Sequence, residues 1–156
     1  MKTLAEQVKF YGDYHKNPYN RLTHYFGIPI IIFSILLLLS WIRLPDTPFW
    51  LNGALVFIVL VSIYYFLLDW RVSILMATLV APIFFLASYV GSGTWKLNIT
   101  LFLVLFLGGW TLQIIGHSVF EKRKPAFTDN LVQLLIGPIF FVLEILEKFN
   151  VKWVGK

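Results

Sequence analysis

Residues Leu97–Ala126 read LNITLFLVLFLGGWTLQIIGHSVFEKRKPA. From Leu97 to Ile115 the segment carries no charged side chain, and it then reaches His117, Glu121 and three consecutive cations, Lys122–Lys124. A helix needs about 20 apolar residues to cross the hydrocarbon core of a bilayer. The segment therefore predicts a transmembrane helix that ends at a membrane surface.

Three further apolar runs have the same character, and the composition is that of a membrane protein. The 156-residue chain is 58% hydrophobic and 13% charged, whereas soluble domains are about half apolar and about a quarter charged. We predict an all-α fold, a polytopic membrane helical bundle that forms a single integral membrane domain over residues 1–156. Its four transmembrane helices are expected at about residues 22–42, 49–68, 72–90 and 97–117.

Amphipathic or interrupted segments flank these four helices. The N-terminal segment Leu4–Tyr14 opens with the capping-box pattern of Thr3 and Glu6, and it predicts a helix that lies along the membrane interface. Residues 130–149 are apolar but contain Gly137-Pro138, and proline inside a helix removes a hydrogen bond and clashes with the preceding turn. We therefore expect this helix to break and to form a re-entrant or interfacial helical hairpin.

The basic residues predict the orientation of the bundle. With four crossings, every lysine and arginine except Arg43 and Lys96 falls on one side of the membrane, and loops rich in cations face the cytoplasm. Both termini are then cytoplasmic, in a bacterial inner membrane or the endoplasmic reticulum. Because this distribution accounts for the formal net charge of +5, no nucleic-acid partner is predicted.

The first polar set lies at the start of the first transmembrane helix. Asn17 followed by Pro18 is typical of a helix start, with Asn17 as the N-cap and Pro18 at the first helical position. Asn20 and His24 are then four residues apart on one helical face, and His15 lies just before the helix. Two of the three histidines in the chain are therefore expected at one cytoplasmic surface.

The second polar set lies at the end of the last transmembrane helix. Gln113, His117 and Glu121 follow one another at intervals of four residues, and each such interval turns an α-helix by only about 40°. They are expected to share a face at the same membrane level as the N-terminal histidines. Imidazole with carboxylate suits iron, zinc or manganese, and the absence of cysteine disfavours a structural zinc site. Spacing alone leaves two interpretations open: a metal site, or separate polar side chains among lipid headgroups.

Three classes of function fit these residues. One is a membrane oxygenase with a bound metal, and a second is a zinc-dependent lipid hydrolase that uses a metal-activated water. The third is a non-catalytic membrane scaffold or small transporter. The predicted crossings carry almost no charged side chain, which argues against transport.

Two stretches together resemble the paired signatures of a known family. YHKNPYNRLTHYFGIP (Tyr14–Pro29) and QIIGHSVFEKRKPA (Gln113–Ala126) are similar to those of the small membrane iron-dependent 2-hydroxy fatty acid dioxygenases, which act in fatty acid α-oxidation during phytosphingosine breakdown. The resemblance spans essentially the whole chain. It implies an enzyme that uses Fe(II) and O2 to cleave the C1–C2 bond of a 2-hydroxy fatty acid, releasing a fatty acid one carbon shorter. Its implied partners are this substrate and membrane lipid.

The resemblance also implies roles for individual residues. Iron ligation and catalysis are assigned to His15, His24 and His117, with Glu121 either ligating the iron or orienting a ligating imidazole. The polar residues beside the ligands are Asn17, Asn20 and Gln113. Four cations are expected either to balance the carboxylate of the substrate or to anchor helix ends at anionic lipid: Arg21, Lys122, Arg123 and Lys124.

Overall fold

The computed structural model describes residues 2–151, and every regular element within them is helical. The helices are α1 (Leu4–Gly12), α2 (Pro18–Leu39), α3 (Gly53–Leu68), α4 (Trp70–Gly91), α5 (Trp95–Ile115) and α6 (Gln133–Lys148), with a π-helical segment at Gly116–Glu121 and a 3-10 turn at Ala126–Thr128. The chain divides into two compact units, one formed by Pro29–Trp110 and the other by the residues that precede and follow it. The prediction of an all-α fold is confirmed.

Three helices are long and apolar enough to cross a membrane: Pro18–Leu39, Trp70–Gly91 and Trp95–Glu121, the last of which is α5 with its π-helical continuation. The apolar helix α3 has 16 residues and is shorter than the others. An apolar helix therefore lies in each predicted region, and α2 begins at Pro18, as the helix-start pattern predicts and before the expected crossing at about residue 22. The count of four crossings, the single domain and the cytoplasmic termini stay predictions.

Small side chains allow close packing in the unit formed by Pro29–Trp110. Leu36 and Leu37 of α2 form a buried cluster with Ala54 of α3 and with Phe84 and Ala87 of α4. Both alanines are fully buried, and small residues are typical of the places where membrane helices approach closely.

In the other unit, α1 packs against α6. The capping box is confirmed, since the Thr3 side chain accepts from the Glu6 backbone amide and the Glu6 side chain accepts from the Thr3 backbone. Leu4, Gln7 and Tyr11 form the buried face of α1. The Gln7 side chain accepts a 2.6 Å hydrogen bond from the Nε2 of Gln133, which is also buried. The apolar face of α1 is thus covered by protein, and its predicted location at the membrane interface is untested.

The predicted break at Gly137-Pro138 is wrong, because α6 runs without interruption through both residues. Pro138 lies in the second turn of α6, where its missing N–H costs one hydrogen bond. Ile136, Ile139 and Leu143 are almost fully buried, and each contributes about 1.5–3 kcal/mol. Together they outweigh the cost of an internal proline, about 3 kcal/mol. The predicted helical hairpin is therefore one continuous helix preceded by a 3-10 turn.

Candidate metal centre

The three histidines, which we call the histidine cluster, come together in the unit that contains both chain ends. His15 lies in the connection between α1 and α2, His24 lies in α2, and His117 lies in the π-helical segment. Their exposures are 1%, 2% and 3%. The ring centroids are 4.6, 4.7 and 4.9 Å apart, and one ligand atom from each residue lies within 4.8 Å of the others.

Backbone carbonyls determine which ring nitrogens carry hydrogen in two of the imidazoles. His15 Nδ1 is 2.8 Å from the carbonyl oxygen of Tyr11, and His24 Nδ1 is 2.8 Å from that of Asn20. Because a carbonyl oxygen only accepts, both Nδ1 atoms carry the hydrogen and donate it. The lone pairs of both rings are therefore on Nε2, and the two Nε2 atoms face each other at 3.2 Å.

This arrangement fits a divalent metal ion. Two lone pairs at 3.2 Å repel each other unless a positive charge lies near both. Nitrogen ligands about 2.1 Å from a shared ion are about 3.0–3.4 Å apart at right-angled to tetrahedral geometry, and the observed separation falls within that range. His117 contributes a buried Nδ1 that has no hydrogen-bond partner among residues 2–151. Burial, followed by the nearby His24 ring, lowers the pKa of His15 to about 2, so its lone pair is free at neutral pH.

Gly116 allows the π-helical segment to approach α2. A Cβ at this position would clash with Thr23 Oγ1 and Asn20 Oδ1, and it would lie 3.3 Å from His24 Cε1. Only a residue without a side chain therefore permits His117 to reach the other two rings. The α-helical winding expected around His117 and Glu121 is not found, because Gly116–Glu121 is wound as a π-helix. Such segments are rare and are often found at functional sites.

Glu121 binds the start of α2. Its carboxylate accepts hydrogen bonds from the backbone amides of Lys16 (3.0 Å) and Asn17 (2.9 Å) and from Asn20 Nδ2 (2.9 Å). Negative charge at a helix N-terminus is stabilising. Asn17 is confirmed as the N-cap, since its Oδ1 accepts from the Tyr19 amide. Because the Asn20 carbonyl also accepts from His24, the carboxylate acts on the cluster through Asn20.

Asn20 and Gln113 are further buried polar residues on the segments that carry the histidines. Gln113 is 6% exposed and its Nε2 has no partner within the described residues, and Asn20 Oδ1 is likewise unpaired. Gln113 precedes His117 by four residues in the sequence.

The four cations expected near a substrate carboxylate lie in different surroundings. Arg21 donates through Nη1 to Glu144 (2.8 Å) and through Nε to the His15 carbonyl (2.7 Å). The Arg123 guanidinium lies 3.8 Å from the centre of the Tyr14 ring. Lys124 forms an ion pair with Asp129. Lys122 is exposed and has a left-handed backbone at φ 53°.

Aromatic rings that the sequence did not single out surround the cluster. Tyr11 stacks on His15 with centroids 4.0 Å apart and an interplanar angle of 8°, and Phe141 stacks on His24 at 5.6 Å. Phe141 also meets His15 edge-on at 6.1 Å. The chain carries one signal for Tyr11, since it precedes His15 by the same four residues that separate Asn20 from His24. These rings exclude water, which strengthens the electrostatic interactions inside.

Comparisons with known proteins identify the family of the chain. A family model described as "2-hydroxy-palmitic acid dioxygenase Mpo1-like" matches residues 1–149. The chain is 37% identical over 149 residues to "2-hydroxy-palmitic acid dioxygenase MPO1" of Saccharomyces cerevisiae, covering 94% of this chain and 82% of that protein. No solved structure matches the chain. The resemblance in the two signature stretches is confirmed, and the chain belongs to the Mpo1-like family.

Proposed function

We propose that this protein is an iron(II)-dependent dioxygenase that cleaves the C1–C2 bond of 2-hydroxy fatty acids and releases a fatty acid one carbon shorter. The observation that carries the proposal is the buried histidine cluster, in which the Nε2 lone pairs of His15 and His24 face each other at 3.2 Å. The name of the yeast relative, a 2-hydroxy-palmitic acid dioxygenase, supports the substrate class.

The roles of the residues follow from their contacts. His15, His24 and His117 would hold the iron, and the carbonyls of Tyr11 and Asn20 keep the first two rings in the tautomer that ligation needs. Glu121 is the positioning residue, because its hydrogen bonds hold the backbone around His15 and the Asn20 side chain.

The electrostatics of the cluster favour an acidic substrate. Three neutral imidazoles leave the charge of a divalent ion uncompensated, and the surrounding rings of Tyr11 and Phe141 exclude water. A fatty acid carboxylate supplies the missing negative charge. Bound iron(II) would supply open coordination positions for the 2-hydroxy acid and for O2. Cleavage with one O2 balances as the shorter acid, carbon dioxide and water, so no separate reductant is required.

A zinc-dependent lipid hydrolase remains the second candidate, because three histidines with an open position are also typical of catalytic zinc. The two functions differ in their need for oxygen. A hydrolase would act under anaerobic conditions with zinc, whereas the proposed reaction requires both iron(II) and O2.

The test is metal analysis and product analysis of the purified full-length protein in detergent. Wild type is compared with His117→Ala and with Ser118→Ala, a matched control at the exposed neighbouring position. We expect iron in the wild type and in Ser118→Ala but not in His117→Ala. Only the iron-containing proteins should shorten 2-hydroxypalmitic acid, with label from 18O2 in the shorter acid.

Three results would contradict parts of this proposal. Full iron content and turnover in His117→Ala would overturn the site. Bound iron without any shortened acid would retain the site and overturn the reaction. Ester cleavage by the zinc form without O2 would establish the hydrolase instead.

A further inference from the structure

A cavity lies in the unit formed by Pro29–Trp110, after the C-terminal end of α2 and between the end of α4 and the start of α5. Its volume is about 200 Å³, and it is lined by Trp41, Arg43, Gly91, Gly93, Trp95 and Asn98. All three helices belong to the long apolar set, so the cavity lies where membrane-type helices end. Tryptophan is enriched in that zone, at the level of lipid headgroups.

Two buried polar atoms of opposite kind belong to residues that line this cavity. Asn98 is 1% exposed, and its Nδ2 donates to the Gly91 carbonyl at 3.2 Å, while its Oδ1 has no partner in the described chain. Trp41 Nε1 is also buried and unpaired there. Unpaired buried polar groups are costly, and few are left in native proteins. A ligand that accepts from Trp41 and donates to Asn98 would satisfy both.

The cavity also has a cation that is free of acidic partners. Arg43 is exposed and forms no ion pair within residues 2–151. The other arginines are engaged, with Arg21 on Glu144, Arg71 on Asp69 and Arg123 on the Tyr14 ring. A guanidinium and an indole N–H from residues that line one cavity are suited to phosphate oxygens.

We propose that this cavity binds the head of a membrane phospholipid whose phosphodiester carries an N–H or O–H donor, as in ethanolamine and glycerol headgroups. Arg43 and the Trp41 N–H donate to phosphate oxygens, and Asn98 Oδ1 accepts from the headgroup amine or hydroxyl. A choline headgroup cannot satisfy Asn98, because its ammonium is fully methylated. Exposed Ile42 and Leu44 offer apolar surface to the acyl chains. This site is independent of the histidine cluster and of the proposed reaction.

The test measures which lipid the full-length protein retains. Protein in nanodiscs of equal phosphatidylethanolamine and phosphatidylcholine, or of equal phosphatidylglycerol and phosphatidylcholine, is released into mild detergent and examined by native mass spectrometry. We expect the ethanolamine and glycerol lipids to exceed choline lipid by about tenfold, the value of one hydrogen bond to an otherwise unpaired group. Asn98→Leu should remove this preference. Arg43→Gln should lower retention of all three lipids by a similar factor.

Matched controls separate the site from general effects. Lys96→Gln removes an exposed cation next to Trp95 that does not line the cavity, and it should leave retention unchanged. If Asn98→Leu does not fold, Arg43→Gln and the headgroup preference of the wild type decide the question.

Four outcomes would overturn the proposal. The first two are equal retention of choline lipid and retention that Arg43→Gln does not change. The third is that no lipid is retained above background, which would indicate a cavity filled by water. The fourth is that soluble glycerophosphoethanolamine competes as strongly as the intact lipid. The last would indicate a site for a free headgroup.

Discussion

Replacing Glu121 by glutamine keeps the length of the side chain but removes the charge that holds the start of α2. The carboxylate accepts three hydrogen bonds, one at Oε1 from the Lys16 amide and two at Oε2 from the Asn17 amide and Asn20 Nδ2. Glutamine has one oxygen, which can retain at most the two bonds now made by Oε2. Its NH2 group would then face the Lys16 N–H, and two donors would oppose each other.

The magnitude follows from these three bonds. A hydrogen bond to a charged group contributes about 1.5–3 kcal/mol, and a neutral one about 0.5–1.5 kcal/mol. Losing one bond and weakening two gives about 3.5–6 kcal/mol in a dry site. Because Glu121 is partly exposed, solvent screening reduces this to about 2–3 kcal/mol. We expect a lower thermal midpoint and a loss of turnover of about 10–100-fold, as for other residues that orient metal ligands.

The assay compares iron content, turnover and thermal midpoint of Glu121→Gln with those of wild type. Glu147→Gln is the control, since it makes the same change at an exposed position of α6. The positioning role predicts partial iron retention in Glu121→Gln, because all three histidines remain. Wild-type values for all three quantities would refute the role of the carboxylate. Iron loss as complete as in His117→Ala, with an unchanged midpoint, would make Glu121 a ligand instead.

The remaining predictions concern the histidine cluster, the close approach of Gly116 to α2 and the loss of stability at acid pH. Loss of any one histidine of the cluster should abolish most iron binding and turnover, and loss of a second should add little, because ligands of one ion act together. Small additive effects across single and double variants would instead indicate independent residues. Gly116→Ala should cost about 1–3 kcal/mol of stability through overpacking, which lowers the thermal midpoint, and it should reduce iron content. Gly108→Ala, where a Cβ meets open space, should do neither. Equal midpoints of the two variants would contradict this expectation. Hydrogen bonds from Lys124 and then Tyr14 lower the pKa of Asp129 in the folded protein. The contribution of Asp129 to folding stability is therefore fully present above the ordinary aspartate pKa of about 4. It is lost as pH falls through the lower pKa of the folded state. Thermal midpoints should therefore separate wild type from Asp129→Asn at pH 7 and converge at strongly acid pH; an equal difference at both pH values would exclude this linkage.

Local chemistry accounts for what the sequence predicted correctly. The apolar runs predict helices because length and hydrophobicity are properties of the segment itself, and the caps at Thr3 and Asn17 are formed by neighbouring residues. The three histidines could be assigned to one site from their motifs, although their mutual geometry could not.

Tertiary packing accounts for what was missed. Pro138 was expected to break α6, but burial of the helix against α1 outweighs the lost hydrogen bond. The π-helical winding that begins at Gly116 was not expected either, and Gly116 lies there in close approach to Thr23 and Asn20 of α2. A sequence pattern scores each segment alone, whereas these two features are decided by the segment that packs against it.

Arg21 and Glu121 act on one peptide group of the histidine cluster. The peptide that joins His15 to Lys16 presents its carbonyl to Arg21 Nε at 2.7 Å and its amide to Glu121 at 3.0 Å. His24 lies within α2, which fixes its backbone, but His15 lies in the connection between α1 and α2 and lacks that constraint. The Arg21 guanidinium at the carbonyl oxygen and the Glu121 carboxylate at the amide nitrogen supply that constraint. The charges of Arg21 and Glu121 thereby orient a neutral imidazole through its backbone, while the ring itself faces the imidazoles of His24 and His117.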